Sequence, residues 1–132
     1  MRNTELIDFT VKGDQRGSLV AIENFKDIPF EIKRVYYVFG TKLNLKRGKH
    51  AHSKLQQVLI CVSGTCKIEL DDGKEKIITN LNKPSLGLYI GSLIWREIFD
   101  FSPECVLLVL ASDIYDEDEY IRDYSRFKKL VD

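Results

Sequence analysis

An all-β sandwich or barrel carrying one C-terminal helix is the fold class this sequence predicts. Short β-rich runs follow one another from Leu6 to Ala111. Turn chemistry separates them, and no helical period of any length interrupts them, which excludes alternating βαβ units. Beyond Asp116 the period changes: Tyr120, Ile121, Tyr124, Phe127 and Leu130 recur at helical spacing.

Taken in order, strands are expected at residues 6–11, 18–23, 33–39, 49–52, 55–62, 65–70, 76–79, 86–90, 94–99 and 105–111. Each is bounded by residues that favour turns: Gly13-Asp14, Arg47-Gly48, Ser63-Gly64, Asp72-Gly73, Asn82-Lys83-Pro84 and Ser102-Pro103. Asp72-Gly73 between two alternating runs is a hairpin signal. The expected helix covers about 116–130, with acids first (Asp116 to Glu119) and Arg126, Lys128 and Lys129 last, the order that suits a helix dipole. Its apolar stripe is expected to pack on the outside of the β-structure.

The 132 residues fit a single domain, since domains cluster at roughly 100–150 residues. Twenty Lys and Arg balance 20 Asp and Glu, which argues against nucleic acid as a partner, because a phosphate backbone demands a basic excess. Cys61, Cys66 and Cys105 are an odd number without paired spacing, each in an apolar run. Buried free thiols in a reducing compartment are expected, hence cytoplasm. No apolar stretch approaches the ~20 residues of a membrane span, and residues 1–11 lack the apolar stretch of a signal peptide.

His50 and His52 are the only histidines and stand two apart in an expected strand, so both imidazoles face one side of it. With Gln57 and Gly64 they resemble the first cupin motif, H-x-H followed by an acid and a glycine. That resemblance implies a jelly-roll (double-stranded β-helix) barrel. Metal-binding cupins hold their ion with the two histidines, that acid and a later histidine. Here Gln57 replaces the acid and Trp95 stands at the expected place of the later histidine. Neutral amide and indole are poor ligands, so no metal and no other cofactor is expected, and the imidazoles are free for proton chemistry.

Longer segments carry a closer resemblance: Asp14 to Leu19, Ile32 to Tyr37, Arg47 to Gln57, Leu70 to Gly73, Trp95 to Glu97, Val109 to Ser112 and Tyr115 to Arg122. Together these are similar to the dTDP-sugar 3,4-ketoisomerase family across nearly the whole chain. The family implies a homodimer of cupin barrels, often with N-terminal strands exchanged. It also implies a dTDP-linked 4-keto-6-deoxyhexose, dTDP-4-keto-6-deoxyglucose, as the substrate, isomerised to the 3-keto sugar. No Gly-rich phosphate loop points to ATP or NAD.

Moving a ketone from C4 to C3 through an enediol needs a base at C3 and a proton carrier for the oxygens, with no redox partner. Imidazole suits the base. On this resemblance His52 is expected as base and His50 as its orienting or relaying neighbour, with the roles exchangeable. Tyr37 is expected to shuttle the second proton. Arg16 and Arg34 are expected at the pyrophosphate, with Arg47, Lys54 and Arg122 near it. Tyr36, Gln57 and Trp95 complete the expected sugar pocket. Competing readings are a nucleotide-sugar 3,5-epimerase, a non-catalytic sugar-binding cupin, and a metal-dependent cupin oxygenase.

Overall fold

Alternation along the strands settles which residues meet inside. The computed structural model describes residues 1–132, and twelve strands precede or flank a single short helix. In chain order the strands are β1 (Thr4–Asp8), β2 (Lys12–Asp14), β3 (Gly17–Leu19), β4 (Arg34–Val38), β5 (Arg47–His52) and β6 (Gln57–Ser63). They continue with β7 (Cys66–Asp71), β8 (Lys76–Leu81), β9 (Leu86–Ile90), β10 (Trp95–Phe99), β11 (Val106–Ala111) and β12 (Tyr120–Ile121). Two five-stranded antiparallel sheets result, ordered β1-β9-β6-β11-β4 and β12-β5-β10-β7-β8, while β2 and β3 form a separate hairpin. The architecture is the expected all-β jelly roll, although its two sheets are not hydrogen-bonded into a closed barrel. Ser63-Gly64-Thr65 carries the chain across from one sheet to the other, whereas Asp72-Gly73 closes a true β7–β8 hairpin.

The main core lies between the sheets and holds Leu59, Ile68, Leu70, Leu88, Ile90, Phe101, Leu107 and Val109, all at most 2% exposed. A second cluster, Phe9, Ile28, Phe30, Val58, Ile60 and Leu110, covers the outer face of the first sheet. Residues expected as strand at 18–23 mostly serve this cover instead: Val20 and Ile22 pack there as irregular chain, and only Gly17–Leu19 is strand. Gly13-Asp14, expected as a turn, lies in β2.

The helix is shorter than expected. The acidic run forms a 3-10 turn, Glu117–Glu119, then β12, and the helix α1 spans only Tyr124–Val131. Asp123 caps it, its side chain accepting from the Ser125 N–H. The stripe splits because Tyr120 and Ile121 pair with His52 and Ala51 of β5, and sheet hydrogen bonds win over helical spacing. Phe127, fully buried, anchors α1 on Ala51, Trp95 and Ile121 on the outer face of the second sheet. Lys128 and Lys129 lie in its last turn.

Candidate active site

A one-residue bulge shapes the site. Arg96 pairs with His50, but Glu97 pairs with Gly48, so Lys49 is the extra residue of β5. Gly48 (φ 85°) and Lys49 (φ 54°) both take left-handed conformations there. A side chain at Gly48 would stand 3.1 Å from the Arg96 carbonyl oxygen, so glycine lets the two strands close. Beyond the bulge, Arg47 is opposite Ile98. The slip turns Arg47 onto the face that carries His50 and His52; without it, plain alternation would place Arg47 outside.

Four strands converge on the inner face. From β4 come Arg34 and Tyr36, which share the face of Ala111 and Val109. From β6 comes Gln57, from β5 the histidines, and from β10 Arg96. Tyr36, Arg47, Gly48, His50, Gln57 and Arg96 line a small cavity of about 80 Å³. It continues into an open cleft of about 390 Å³ where Arg34, Arg122, Tyr115 and Tyr120 join Tyr36, Arg47 and His50.

Hydrogen bonding fixes the protonation pattern. His50 Nδ1 lies 2.9 Å from the Gly48 carbonyl, which can only accept, so Nδ1 carries the proton. His50 Nε2 is therefore an acceptor in the neutral ring. It lies 3.0 Å from His52 Nε2, which must donate. His52 Nδ1 is then an unprotonated, buried nitrogen without a partner. Burial first, and then the Arg96 guanidinium, push both rings down, His50 to about 4 and His52 to about 2. The Tyr120 ring lies 4.9 Å from the His50 ring and 4.4 Å from that of His52.

A second chain starts at Arg96, which is 2% exposed. Its guanidinium donates to the Ile94 carbonyl and, at 2.6 Å, to Gln57 Oε1. With the amide oriented this way, Gln57 Nε2 donates to the Tyr36 oxygen at 3.1 Å. The Tyr36 O–H is left free for the cavity, while its burial raises the phenol above the ordinary tyrosine range. At the mouth, the Arg34 guanidinium lies 5.3 Å from the Tyr36 ring and 5.6 Å from the Tyr115 ring. Arg122 stacks at 4.3 Å over Tyr120 and pairs at 2.9 Å with Glu117. That ion pair holds the Glu117 carboxyl down at about 2. Four guanidiniums thus face the cavity and its mouth in a chain of zero formal net charge.

The structure brings together Arg34, Tyr36, Arg47, His50, Gln57 and Arg122, with His52 fully buried behind His50. It does not bring in four other expected residues. Tyr37 alternates to the outer face of β4 and is 62% exposed, so Tyr36 is the tyrosine that faces the histidines. Trp95 lies on the outer face of β10 against Tyr124 and Phe127, and its indole N–H donates to Glu97. The position at the cavity belongs to Arg96, one residue on. Lys54 contributes its backbone N–H, donated with that of Leu55 and the Ser53 hydroxyl to the Glu119 carboxylate. Arg16 sits on the outlying β2–β3 hairpin, fully exposed to solvent and paired only with Asp14.

Arg96, Tyr115 and Tyr120 were not expected from the residues themselves. Counting alternation back from Ile98 would have found Arg96. Nothing local marks Tyr120, whose spacing reads as helix.

Comparison with known proteins agrees with this geometry. A TDP-4-oxo-6-deoxy-α-D-glucose-3,4-oxoisomerase of Aneurinibacillus thermoaerophilus is 54% identical over 127 residues, 96% of this chain and 91% of that protein. The 3,4-ketoisomerase QdtA of Thermoanaerobacterium thermosaccharolyticum has been solved as a His-to-Asn variant in complex with TDP-4-keto-6-deoxyglucose. It is 50% identical, with a TM-score of 0.97 over 99% of this chain and 95% of that one. The TDP-quinovose 3,4-ketoisomerase WlaRB of Campylobacter jejuni is 52% identical, with a TM-score of 0.95 over 98% and 99%. The family model described as FdtA, WxcM-like, C-terminal, matches residues 2–132, and with relatives this similar over this length the chain belongs to that family.

Proposed function

We propose that this chain is a TDP-sugar 3,4-ketoisomerase that moves the carbonyl of TDP-4-keto-6-deoxyglucose from C4 to C3. The observation that carries the reading is a neutral imidazole and a free phenol O–H lining one cavity, beneath a mouth of arginines. His50 is the base, since it lines the cavity while His52 is fully buried behind it. This reverses the roles expected from the sequence. The C3 proton goes to His50 Nε2, exchanging with the hydrogen bond that His52 donates there. His52 holds the ring and its tautomer. Tyr36 carries the proton between the C3 and C4 oxygens and donates to the developing enediolate, where a preorganised donor is worth a few kcal/mol, roughly 10²–10³ in rate. His50, now an imidazolium whose proton exchanges with solvent, delivers a proton to C4 and returns to the neutral ring, and the 3-keto sugar leaves.

Arg34, Arg47 and Arg122 suit the pyrophosphate, as planar forks that bind phosphate oxygens in pairs. Tyr115 and Tyr120 offer faces for the base or sugar. The reaction is read as metal-free because Arg96, a permanent cation hydrogen-bonded to Gln57, occupies the space beside the histidines where a metal would need an anionic or lone-pair donor.

A homodimer in the cytoplasm completes the reading. Val35 and Tyr37 on edge strand β4 and Phe39 just after it form an exposed apolar row, and the β2–β3 hairpin is hydrogen-bonded to neither five-stranded sheet. Both features suit a second copy, whose site would receive Arg16.

The test is incubation with TDP-4-keto-6-deoxyglucose in heavy water, followed by NMR. The expected result is a 3-keto product carrying solvent deuterium at C4. Deuterium at C5 with inversion would establish the epimerase reading instead, and tight binding without exchange would establish a binding module.

A further inference from the structure

At the far end of the inner core from the arginines, three thiols meet. Cys61 Sγ lies 3.3 Å from Cys66 Sγ and 3.7 Å from Cys105 Sγ, and the three sulfurs are within 4.8 Å of one another. They come from the end of β6, the start of β7 and the residue before β11, so the fold assembles them from separate segments. None is more than 2% exposed. Sulfurs bonded to one ion at about 2.3 Å stand about 3.5–3.9 Å apart, so little movement is needed to clasp one. No histidine or carboxylate joins the cluster. The nearby Ser102 hydroxyl already accepts the Thr65 N–H. Zinc, which takes four ligands in closed protein sites, is therefore short of one.

Charge narrows the choice further. The thiols sit among Leu59, Ile68, Leu81, Phe101 and Leu107. Three bare thiolates around a monovalent or divalent ion would leave net negative charge in an apolar core, which desolvation disfavours. A trivalent centre leaves none.

We propose that Cys61, Cys66 and Cys105 form a three-sulfur site for a soft trivalent metalloid, taken up as arsenous acid. Three S–H and three As–O bonds break, three As–S bonds form, and three waters leave. Arsenic stays trivalent, so no oxidant or reductant is needed. Leu59, Phe101 and Leu107 pack with the cysteines and also line the small cavity, so these side chains separate the thiol site from the sugar pocket.

The experiment adds one equivalent of arsenous acid to the folded, reduced chain. Native mass spectrometry should show one arsenic per chain, thiol titration should lose three groups, and the melting temperature of the wild type should rise. Cys61→Ala, Cys66→Ala and Cys105→Ala should each weaken uptake at least tenfold. The idea fails if the folded chain retains no arsenic, if only two thiols are consumed, or if any single variant keeps wild-type affinity. A lowered melting temperature would overturn it too, because that marks binding to the unfolded chain. These readouts do not involve isomerase turnover and stand or fall apart from it.

Discussion

Arg96 donates to the Gln57 carbonyl and the Gln57 amide donates to the Tyr36 oxygen, so the Tyr36 oxygen serves as the acceptor here and its proton stays free for a ligand. Tyr37, its neighbour, faces away and is 62% exposed. Tyr36→Phe is therefore expected to lower kcat by about 10²–10⁴, the usual range for a lost acid–base group. Tyr37→Phe should leave it within about twofold. Steady-state kinetics on the two variants decide between them, and a large loss confined to Tyr37→Phe would return the role to Tyr37. The histidines give a second expectation at this scale. Both are held far below the ordinary value of 6.5, His50 at about 4. Between pH 6.5 and about 4 the unfolded chain takes up protons on these rings while the folded chain does not. Stability must then fall as pH drops through that window, by up to about 1.4 kcal/mol per pH unit for each ring. Urea midpoints at pH 7 and pH 5 should fall less for His52→Asn than for the wild type; an equal fall means the His52 ring takes up its proton as readily in the fold as in the unfolded chain.

Elements were legible where one local signal dominates. The β7–β8 hairpin and most central strands follow from turn residues and alternation, and the histidine face follows from period two. What alternation could not supply was the bulge at Lys49, whose left-handed backbone depends on the approach of β10 and reverses the side on which Arg47 emerges. The same uncertainty of one residue made Trp95, rather than Arg96, the expected pocket residue. The C-terminal stripe failed for another reason: β5 offers a free edge, and Tyr120–Ile121 takes it. Because Trp95 is the only tryptophan and packs under α1, its fluorescence reports the helix and not the sugar pocket. Phe127→Ala should cost about 3–5 kcal/mol, the range for truncating a buried phenylalanine, and shift tryptophan emission to longer wavelength. Adding TDP to the wild type should leave that emission unchanged; a large change on nucleotide binding would place the indole near the ligand after all.

At the scale of the whole molecule, the β2–β3 hairpin is the feature that a single chain does not explain. All six of its strand residues are exposed, and an isolated two-stranded hairpin is marginal in water. Leu19 on the hairpin is 57% exposed, and Phe39, following edge strand β4, is 70% exposed. Large apolar groups so placed are what a protein interface covers. Arg16 at the hairpin tip has no partner except Asp14, although the family resemblance assigns it to the pyrophosphate. A second copy that receives the hairpin accounts for all of these at once. Sedimentation velocity should find a dimer. Leu19→Glu, which puts a charge into the covered surface, should shift it toward monomer and lower kcat/KM at least tenfold as Arg16 leaves the partner's site. Arg16→Ala should lower kcat/KM while the dimer persists. A wild-type monomer with full turnover would confine the whole active site to the cleft of one chain and leave Arg16 a surface charge.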